Sequence, residues 1–214
     1  MELLRLIIDF ILHVDLHLQE LFNNYGLWIF GILFLIIFCE TGLVVTPLLP
    51  GDSLLFAAGA LITNSDMNIH LMALNLIAAA LLGNIVNYTI GRIFGKQLFS
   101  NPDSKWFRQD YLRRAEAFFS KYGGRAIVLT RFAPIIRTFV PFAAGMAKMS
   151  YSRFLTYNVA GGIAWVSIFL YAGYFFGNLP AVRKNFTMII LAIVVVSFIP
   201  VLVEWWRARS PGKS

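Results

Sequence analysis

The sequence predicts an all-α polytopic membrane protein, and composition, uncharged runs and broken apolar segments support this prediction. Of the 214 residues, 58% are hydrophobic and 14% are charged, whereas a soluble domain carries about a quarter charged residues. Runs without Asp, Glu, Lys or Arg cover residues 67–91, 154–182 and 185–203. Because a helix needs about 20 residues to cross a hydrocarbon core, each run is a candidate span. Two further apolar segments contain prolines.

The first segment, residues 1–24, is predicted to be an amphipathic helix at the membrane surface. Arg5, Asp9, His13 and His17 recur every four residues and form one polar stripe on an otherwise apolar helix. His13 and His17 also have the spacing of a metal-binding pair, but no third ligand completes a recognisable motif. We therefore expect no metal site and no cofactor.

Residues 25–64 are predicted to form a re-entrant hairpin, in which the chain enters the membrane and returns to the same face. An apolar run ends at Glu40, Pro47 and Pro50 then break the helix, and the next apolar run is too short to span. Unwound backbone persists at membrane depth only where protein or water covers it. With the span that follows, this hairpin forms a first repeat, residues 25–95.

The first uncharged run is predicted to pack against other helices through one face. Gly83, Asn84 and Asn87 place small and amide side chains on that face. In a membrane bundle, such residues allow close helix packing and interhelical hydrogen bonds.

An internal repeat predicts a second unit of the same kind. Phe-Ala-Ala-Gly at 56–59 recurs at 142–145, and glycine pairs follow at 91/95 and 173/177. The separations between the two motifs, 35 and 31 residues, nearly match. We therefore predict a second repeat at 122–177, with its own re-entrant hairpin at 122–149. Because one hairpin plus one span crosses the membrane once, the two repeats must be inverted.

The distribution of basic residues predicts the orientation. Eight Lys/Arg lie between residues 92 and 125, which suggests that the 96–121 loop is cytoplasmic and contacts anionic phospholipids. That face then carries thirteen Lys/Arg and the other face three. The last transmembrane helix, residues 185–206, ends in Trp205-Trp206 and is followed by basic residues, so the C-terminus is also predicted to be cytoplasmic.

Four ionisable residues remain at membrane depth: Glu40 and Asp52 on the first hairpin, Arg131 and Arg137 on the second. Their formal charges cancel, and each is costly to expose to lipid, so we expect them to converge where the hairpins meet. They are the candidate transport site. Residues expected to support it at hairpin tips and helix ends are Pro47, Pro50, Gly51, Ser53, Pro134, Thr138 and Pro141.

A purely structural role is the competing interpretation. Asp52 or Ser53 can N-cap a half-helix that begins at Leu54, and Glu40 can pair with one arginine only to join the hairpins. We favour a binding site, because apolar packing often serves a structural contact as well as a buried ion pair does.

The residue types indicate an anionic ligand. Two guanidinium groups suit the oxygens of a phosphomonoester, and a half-helix N-terminus near Thr138–Pro141 adds partial positive charge. A buried carboxyl group can hold a proton at neutral pH, which leaves proton coupling open at Glu40 or Asp52. The hypothesis is proton-linked movement of an anionic lipid head group, with the lipid tail left in the bilayer.

At these residues the sequence resembles the DedA family of bacterial inner-membrane proteins. That family shares its core with eukaryotic lipid scramblases of the SNARE-associated Golgi protein group, also called the VTT-type fold. The resemblance covers roughly residues 1–207. It rests on Phe-Cys-Glu-Thr-Gly at 38–42, Pro-Gly-Asp-Ser-Leu-Leu at 50–55, Asn-Tyr-Thr-Ile-Gly-Arg at 87–92, Arg-Phe-Ala-Pro-Ile-Ile-Arg-Thr at 131–138 and Ala144-Gly145.

The resemblance implies two opposed re-entrant hairpins and movement of lipids between leaflets of the bacterial inner membrane. Family members are linked to recycling of the carrier lipid undecaprenyl phosphate, to cell-envelope functions that depend on the proton motive force, and to phosphatidylethanolamine. Acidic and arginine positions important in the family match Glu40, Asp52, Arg131 and Arg137.

Other functions remain open. A proton-coupled antiporter of ions or small solutes can use the same charges, and so can a phosphatidylethanolamine translocase. An enzyme is not expected, because no G-x-S-x-G or zinc motif is present and His13, His17 and His70 lie outside the charged stretches. We expect membrane phospholipids and a lipid phosphate as partners and no nucleic acid. The sequence leaves open whether the protein forms a homo-oligomer.

Overall fold

The computed structural model describes residues 26–43, 51–63, 65–98, 121–132 and 137–177, with isolated positions beyond. All the regular elements of these residues are helical. The predicted amphipathic helix at 1–24 lies outside the described residues, and the 96–121 loop and the 185–206 span lie almost wholly outside them. Pro47, Pro50 and Pro134 also lie outside.

Six α-helices and one 3₁₀ turn form the described part of the chain. They are α1 (Trp28–Gly42), α2 (Gly51–Ile62), α3 (Ile69–Leu98), α4 (Arg125–Leu129) with the 3₁₀ turn Thr130–Phe132, α5 (Phe139–Met146) and α6 (Tyr151–Phe176). Two helical stretches, Ile69–Gly95 and Tyr151–Phe176, are long and apolar enough to cross a membrane. The helical class and the two spans inside the predicted repeats are thus confirmed.

Helices α3 and α6 run antiparallel and form the frame for the shorter helices. At the Ile69 end of α3, the His70 ring nitrogen Nδ1 lies 2.6 Å from the Tyr171 hydroxyl. Toward the Leu98 end, the Tyr88 ring stacks on Phe154 with 4.2 Å between centroids. Both helices extend past an uncharged run to include basic residues, whose long side chains can reach the interface.

Helices α1 and α2 occupy the half of the frame at the Ile69 end. Asn75 on α3 donates a hydrogen bond to the Phe30 carbonyl at 2.8 Å, and α1 ends where Gly42 meets the backbone of Gly83, midway along α3. Helix α2 runs back toward the same end, where the Thr63 hydroxyl donates to the Tyr174 carbonyl at 3.0 Å.

Helices α4 and α5 occupy the opposite half. Gly124, just before α4, lies against the Tyr157 ring near the start of α6. Helix α5 follows Thr138, whose carbonyl accepts a 2.8 Å hydrogen bond from Asn87 on α3. It ends at Met146, beside Gly95 on α3. Both short helices therefore lie in the half at the Leu98 end.

The two Phe-Ala-Ala-Gly motifs cross between the repeats, and they do so in equivalent ways. A Cβ on Gly173 of α6 would lie 2.7 Å from the carbonyl carbon of Phe56, and one on Gly91 of α3 would lie 2.9 Å from that of Phe142. Helix α2 thus packs against the span of the second repeat, and α5 packs against the span of the first. Only residues without a side chain permit backbones to approach this closely.

The apolar core divides along the same lines. One buried cluster joins α1, α2, α3 and α6, and its large members include Leu33, Met72 and Leu170. The other surrounds α5 and includes Tyr88, Phe142 and Phe154. Polar side chains lie buried between these clusters, at the level where α1 ends and α2 and α5 begin.

Candidate functional site

Arg137 lies between two carboxylates, one on α1 and one on α2. Its Nη2 forms an ion pair with Oε1 of Glu40, and its Nη1 lies 3.3 Å from Oδ1 of Asp52. All three residues are buried, with relative exposures of 6%, 0% and 5% respectively. The structure therefore brings three of the four predicted charges together, and we call them the ion-pair cluster.

Glu40 also holds the start of α2. The Gly51 backbone N–H donates a 3.0 Å hydrogen bond to Oε1 of Glu40, so this carboxylate satisfies one of the free amides of the first turn. The helix begins at Gly51, whereas the sequence suggested Leu54. The expected N-cap from Asp52 or Ser53 is wrong, because both residues already lie inside the helix and Glu40 supplies the acceptor.

Gly51 leaves the space that the Glu40 carboxylate occupies. A Cβ at this position would lie 2.7 Å from Cδ of Glu40, well inside van der Waals contact. The Gly-Asp pair that marks a helix break in the sequence therefore has a second role. It lets the end of α1 contact the start of α2.

Trp165, near the middle of α6, completes the environment of the ion-pair cluster. Its indole Nε1 donates a 2.7 Å hydrogen bond to Oδ1 of Asp52, and its ring lies 5.1 Å from the guanidinium carbon of Arg137. Sequence reasoning missed this residue. Its position in the middle of an uncharged run was a signal that could have found it. Trp in membrane helices is enriched at the ends of spans, and an indole N–H buried in mid-span needs a polar partner.

Arg131 lies outside the ion-pair cluster. Its Nη2 donates to Oδ1 of Asn158 at 2.6 Å and reaches the Asn158 carbonyl at 3.4 Å. Its guanidinium lies 5.9 Å from the Trp165 ring. Among the residues that the structure describes, no carboxylate pairs with Arg131. Three of the four charges expected to converge are thus ion-paired, while Arg131 sits on the 3₁₀ turn that packs against α6 and shares the Trp165 ring with Arg137.

Buried amides tie the two halves together around these charges. Asn87 donates through Nδ2 to the carbonyls of Thr41 and Thr138 at 3.2 and 2.8 Å, and so links the end of α1 to the start of α5. Asn84 donates to Oδ1 of Asn158 at 3.0 Å. The predicted interhelical hydrogen bonds of Asn84 and Asn87 are confirmed, while Asn158 was not predicted.

Several buried polar atoms in this region have no hydrogen-bond partner within the part of the chain that the structure describes. Buried polar groups in native proteins are normally satisfied, so their concentration around the charged residues marks a polar region able to bind a ligand. Both donors and acceptors are present. The atoms are Glu40 Oε2, Ser53 Oγ, Asn87 Oδ1, Arg131 Nε, Arg137 Nε and Thr138 Oγ1.

Two of the remaining predicted site residues lie at the start of α5. Thr138 directly precedes α5, and Pro141 lies in its first turn, where the missing N–H removes no helical hydrogen bond. Within the described ranges, no group of three His, Cys, Asp or Glu residues is placed to hold a metal ion.

Two membrane-length helices enclosing a buried polar site define an integral membrane protein. The VTT domain family matches residues 49–175. The protein DedA of Escherichia coli K12 is 56% identical over 211 residues, which cover 98% of this chain and 96% of that protein. The chain belongs to the DedA family.

More distant relatives agree with this assignment. An uncharacterized membrane protein of Mycobacterium tuberculosis H37Rv is 47% identical over 184 residues, or 84% of this chain and 80% of that protein. The inner membrane protein YqjA of E. coli K12 is 35% identical over 156 residues, or 73% and 71%. The name of that relative, together with the two apolar helices, supports an inner-membrane location. No solved structure matches the chain.

Proposed function

We propose that this protein is a lipid translocase, of the flippase or scramblase type, that moves an anionic lipid head group across the inner membrane. The proposed substrate is undecaprenyl phosphate, and the movement is proton-coupled. No covalent chemistry is included, so the protein is not an enzyme in this proposal. The 96–121 loop and the C-terminus face the cytoplasm.

The proposal includes two inverted repeats with re-entrant hairpins. Both arms of the first hairpin, α1 and α2, have their outer ends at the Ile69 end of α3. Both arms of the second, α4 and α5, have theirs at the opposite end. The equivalent crossings at Gly173 and Gly91 give further support. In transporters built this way, substrates bind where the broken helices meet.

The observation that carries the proposal is the position of Arg137 between Glu40 and Asp52, where the half-helices α2 and α5 begin. Each Nη of this guanidinium already donates to a carboxylate, so a phosphate that takes over either of these contacts must displace that carboxylate. Protonation of Glu40 or Asp52 would remove a negative charge and weaken its pairing with Arg137. The freed guanidinium donors would then bind phosphate oxygens in charge-assisted hydrogen bonds.

This arrangement makes proton binding and phosphate binding cooperative. If protonation raises the affinity for the anion, the bound anion raises the affinity for the proton by the same factor. The polyprenyl tail does not have to enter the polar site. It can remain in the bilayer while the head group passes between the hairpins.

Leaflet-resolved transport in liposomes tests the function. Purified wild type is expected to move undecaprenyl phosphate faster than phosphatidylethanolamine, and a proton gradient is expected to change the rate. Arg137→Ala should abolish movement. Glu40→Gln, which removes the charge but keeps the shape, should remove the response to the gradient. The proposal would be contradicted if the wild-type protein moved no lipid phosphate, either with or without the proton gradient.

The charge count of the ion-pair cluster favours one alternative, a proton-coupled antiporter of ions or small solutes. Two carboxylates face one guanidinium, so the ionised cluster has a net negative charge that suits a cation. Exchange of a soluble cation for protons, in liposomes where the protein moves no lipid, would support this alternative. Preferred movement of phosphatidylethanolamine would instead support a translocase of a different lipid.

A further inference from the structure

The two buried arginines differ in how their charge is balanced. Arg137 faces two carboxylates, whereas Arg131 is held by the neutral amide of Asn158. The indole of Trp165 lies near both guanidinium groups, at 5.1 and 5.9 Å. Its N–H is committed to Asp52. The side chains that surround Arg131 therefore leave its positive charge uncompensated among the described residues.

Asn158 is fixed in one orientation by its own hydrogen bonds. Its Nδ2 donates to the Leu81 carbonyl at 3.2 Å, and its Oδ1 accepts from Asn84 at 3.0 Å. The same oxygen accepts from Nη2 of Arg131 at 2.6 Å. Asn158 is fully buried, with 0% exposure. An amide oxygen thus occupies the position from which a carboxylate would neutralise Arg131.

Two glycines on α6 create room for this guanidinium. A Cβ at Gly161 would lie 3.1 Å from Cδ and Nε of Arg131, and one at Gly162 would lie 3.4 Å from Nη2. The Nε of Arg131 is buried and has no hydrogen-bond partner among the described residues. A cation that is nine-tenths buried and retains a free donor is a site for an anion, since charge-assisted hydrogen bonds are the strong ones.

We propose that Asn158 is a specificity-determining residue that keeps Arg131 charged and uncompensated, so that Arg131 binds a phosphomonoester head group. This inference deepens the proposed function and rests on it. In this division of roles, Arg131 is the permanent anion site, and Arg137 becomes available only when it is released from its carboxylates. Asn158 positions Arg131 and does not itself have to contact the ligand.

Asn158→Asp tests the inference with little change in shape. The new carboxylate would still accept hydrogen bonds from Arg131 and Asn84 and would neutralise Arg131. We expect the full-length protein in detergent to bind farnesyl monophosphate at least about tenfold more weakly than wild type. Binding of farnesol, which lacks the phosphate, should not change. The measurement is isothermal titration calorimetry with both ligands, alongside a thermal melt of each variant.

Two further variants separate charge from packing. Asn75→Asp makes the same substitution on α3, nine residues before Asn84 and so about 14 Å away along the helix. It should leave phosphate binding within about twofold of wild type, a range of well under one decade in affinity. Asn158→Ala removes the amide but adds no negative charge, so its preference for the phosphate over farnesol should survive.

Unchanged farnesyl monophosphate binding by a folded Asn158→Asp protein would overturn the inference. Equal losses in Asn158→Asp and Asn158→Ala would also overturn it, because the amide would then act only through packing. Failure of the proposed function gives a different result. Wild type would bind the phosphate in a manner sensitive to Asn158→Asp, yet transport no lipid in liposomes.

Discussion

The carboxylate of Glu40 makes two contacts with different consequences. It accepts a hydrogen bond from the Gly51 amide, which stabilises the start of α2, and it pairs with Arg137, which connects α1 to the segment that leads into α5. The N-terminus of a helix carries partial positive charge, so α2 itself attracts this carboxylate. At the scale of single residues, structural and proposed functional roles therefore overlap in one side chain.

Gly51→Ala is expected to destabilise the protein by about 1–3 kcal/mol, the usual range for overpacking a buried site. The added methyl would force the Glu40 carboxylate away from both of its partners. Gly31→Ala on α1 is the matched control, because a Cβ there meets nothing within 4 Å and Ala favours a helix over Gly. Thermal unfolding in detergent measures both. Equal melting temperatures for the two variants would contradict this account of Gly51.

Arg137→Gln is expected to cost more stability than Glu40→Gln. Removal of one partner from a buried ion pair costs about 3–5 kcal/mol, because the other charge is left uncompensated. Arg137→Gln leaves two carboxylates without their shared cation, while Glu40→Gln still leaves Asp52 beside Arg137. Thermal unfolding of both variants and of the double variant checks this. A larger loss in Glu40→Gln would show that Asp52 contributes little to the pairing.

At the scale of elements, each short helix depends on the long helix of the other predicted repeat. Helix α2 is too short to cross a membrane, and it buries its Phe-Ala-Ala-Gly face against α6. Helix α5 does the same against α3. In lipid, such close packing replaces the hydrophobic driving force that acts in water. Neither repeat can therefore bury its own half-helix without the other.

A disulfide between α3 and α5 tests whether this packing must change during transport. An ideal Cβ at Gly95 lies 3.1 Å from Cβ of Met146, so the two helices must separate by only a few tenths of an ångström to reach the roughly 3.5–4.5 Å of a disulfide. Gly95→Cys with Met146→Cys, in a Cys39→Ser background, should cross-link on mild oxidation. If α5 moves against α3, oxidation should block transport and reduction should restore it. Full transport by the cross-linked protein would show that this contact stays closed throughout.

At the scale of the whole molecule, the frame of α3 and α6 sets two opposite ends. The His70–Tyr171 contact marks one end and the Tyr88–Phe154 stack marks the other. The excess of Lys and Arg in the 92–125 segment adjoins the second end. By the positive-inside rule, that end is predicted to face the cytoplasm.

Cysteine labelling tests this orientation. Asp66 and Ser150 are exposed at opposite ends of the frame, so Asp66→Cys and Ser150→Cys in a Cys39→Ser background report on the two faces. A membrane-impermeant maleimide added to intact spheroplasts should label the first variant alone. It should label the second only after the membrane is opened. The reverse pattern would invert the proposed topology.

Composition and local breakers were sufficient to predict the helical membrane class, the two described spans and the meeting of buried acidic residues with a buried arginine, but they did not single out Arg137 over Arg131. These features depend on the cost of transferring charges and unpaired backbone into lipid, which is a property of each short stretch of sequence. The repeat, Phe56–Gly59 against Phe142–Gly145, was equally visible in the sequence. The residues that contact each copy of this motif across the bundle were not visible in the sequence.

Only the tertiary structure decided which side chains balance each buried charge. Glu40 rather than Asp52 or Ser53 caps α2, Trp165 holds Asp52, and Asn158 rather than a carboxylate holds Arg131. These partners are separated by between 11 and 113 positions in the chain. Helical periodicity tells which residues share a face of one helix. Which faces of two helices meet depends on how closely the two backbones approach, and glycines on α3 and α6 set that distance.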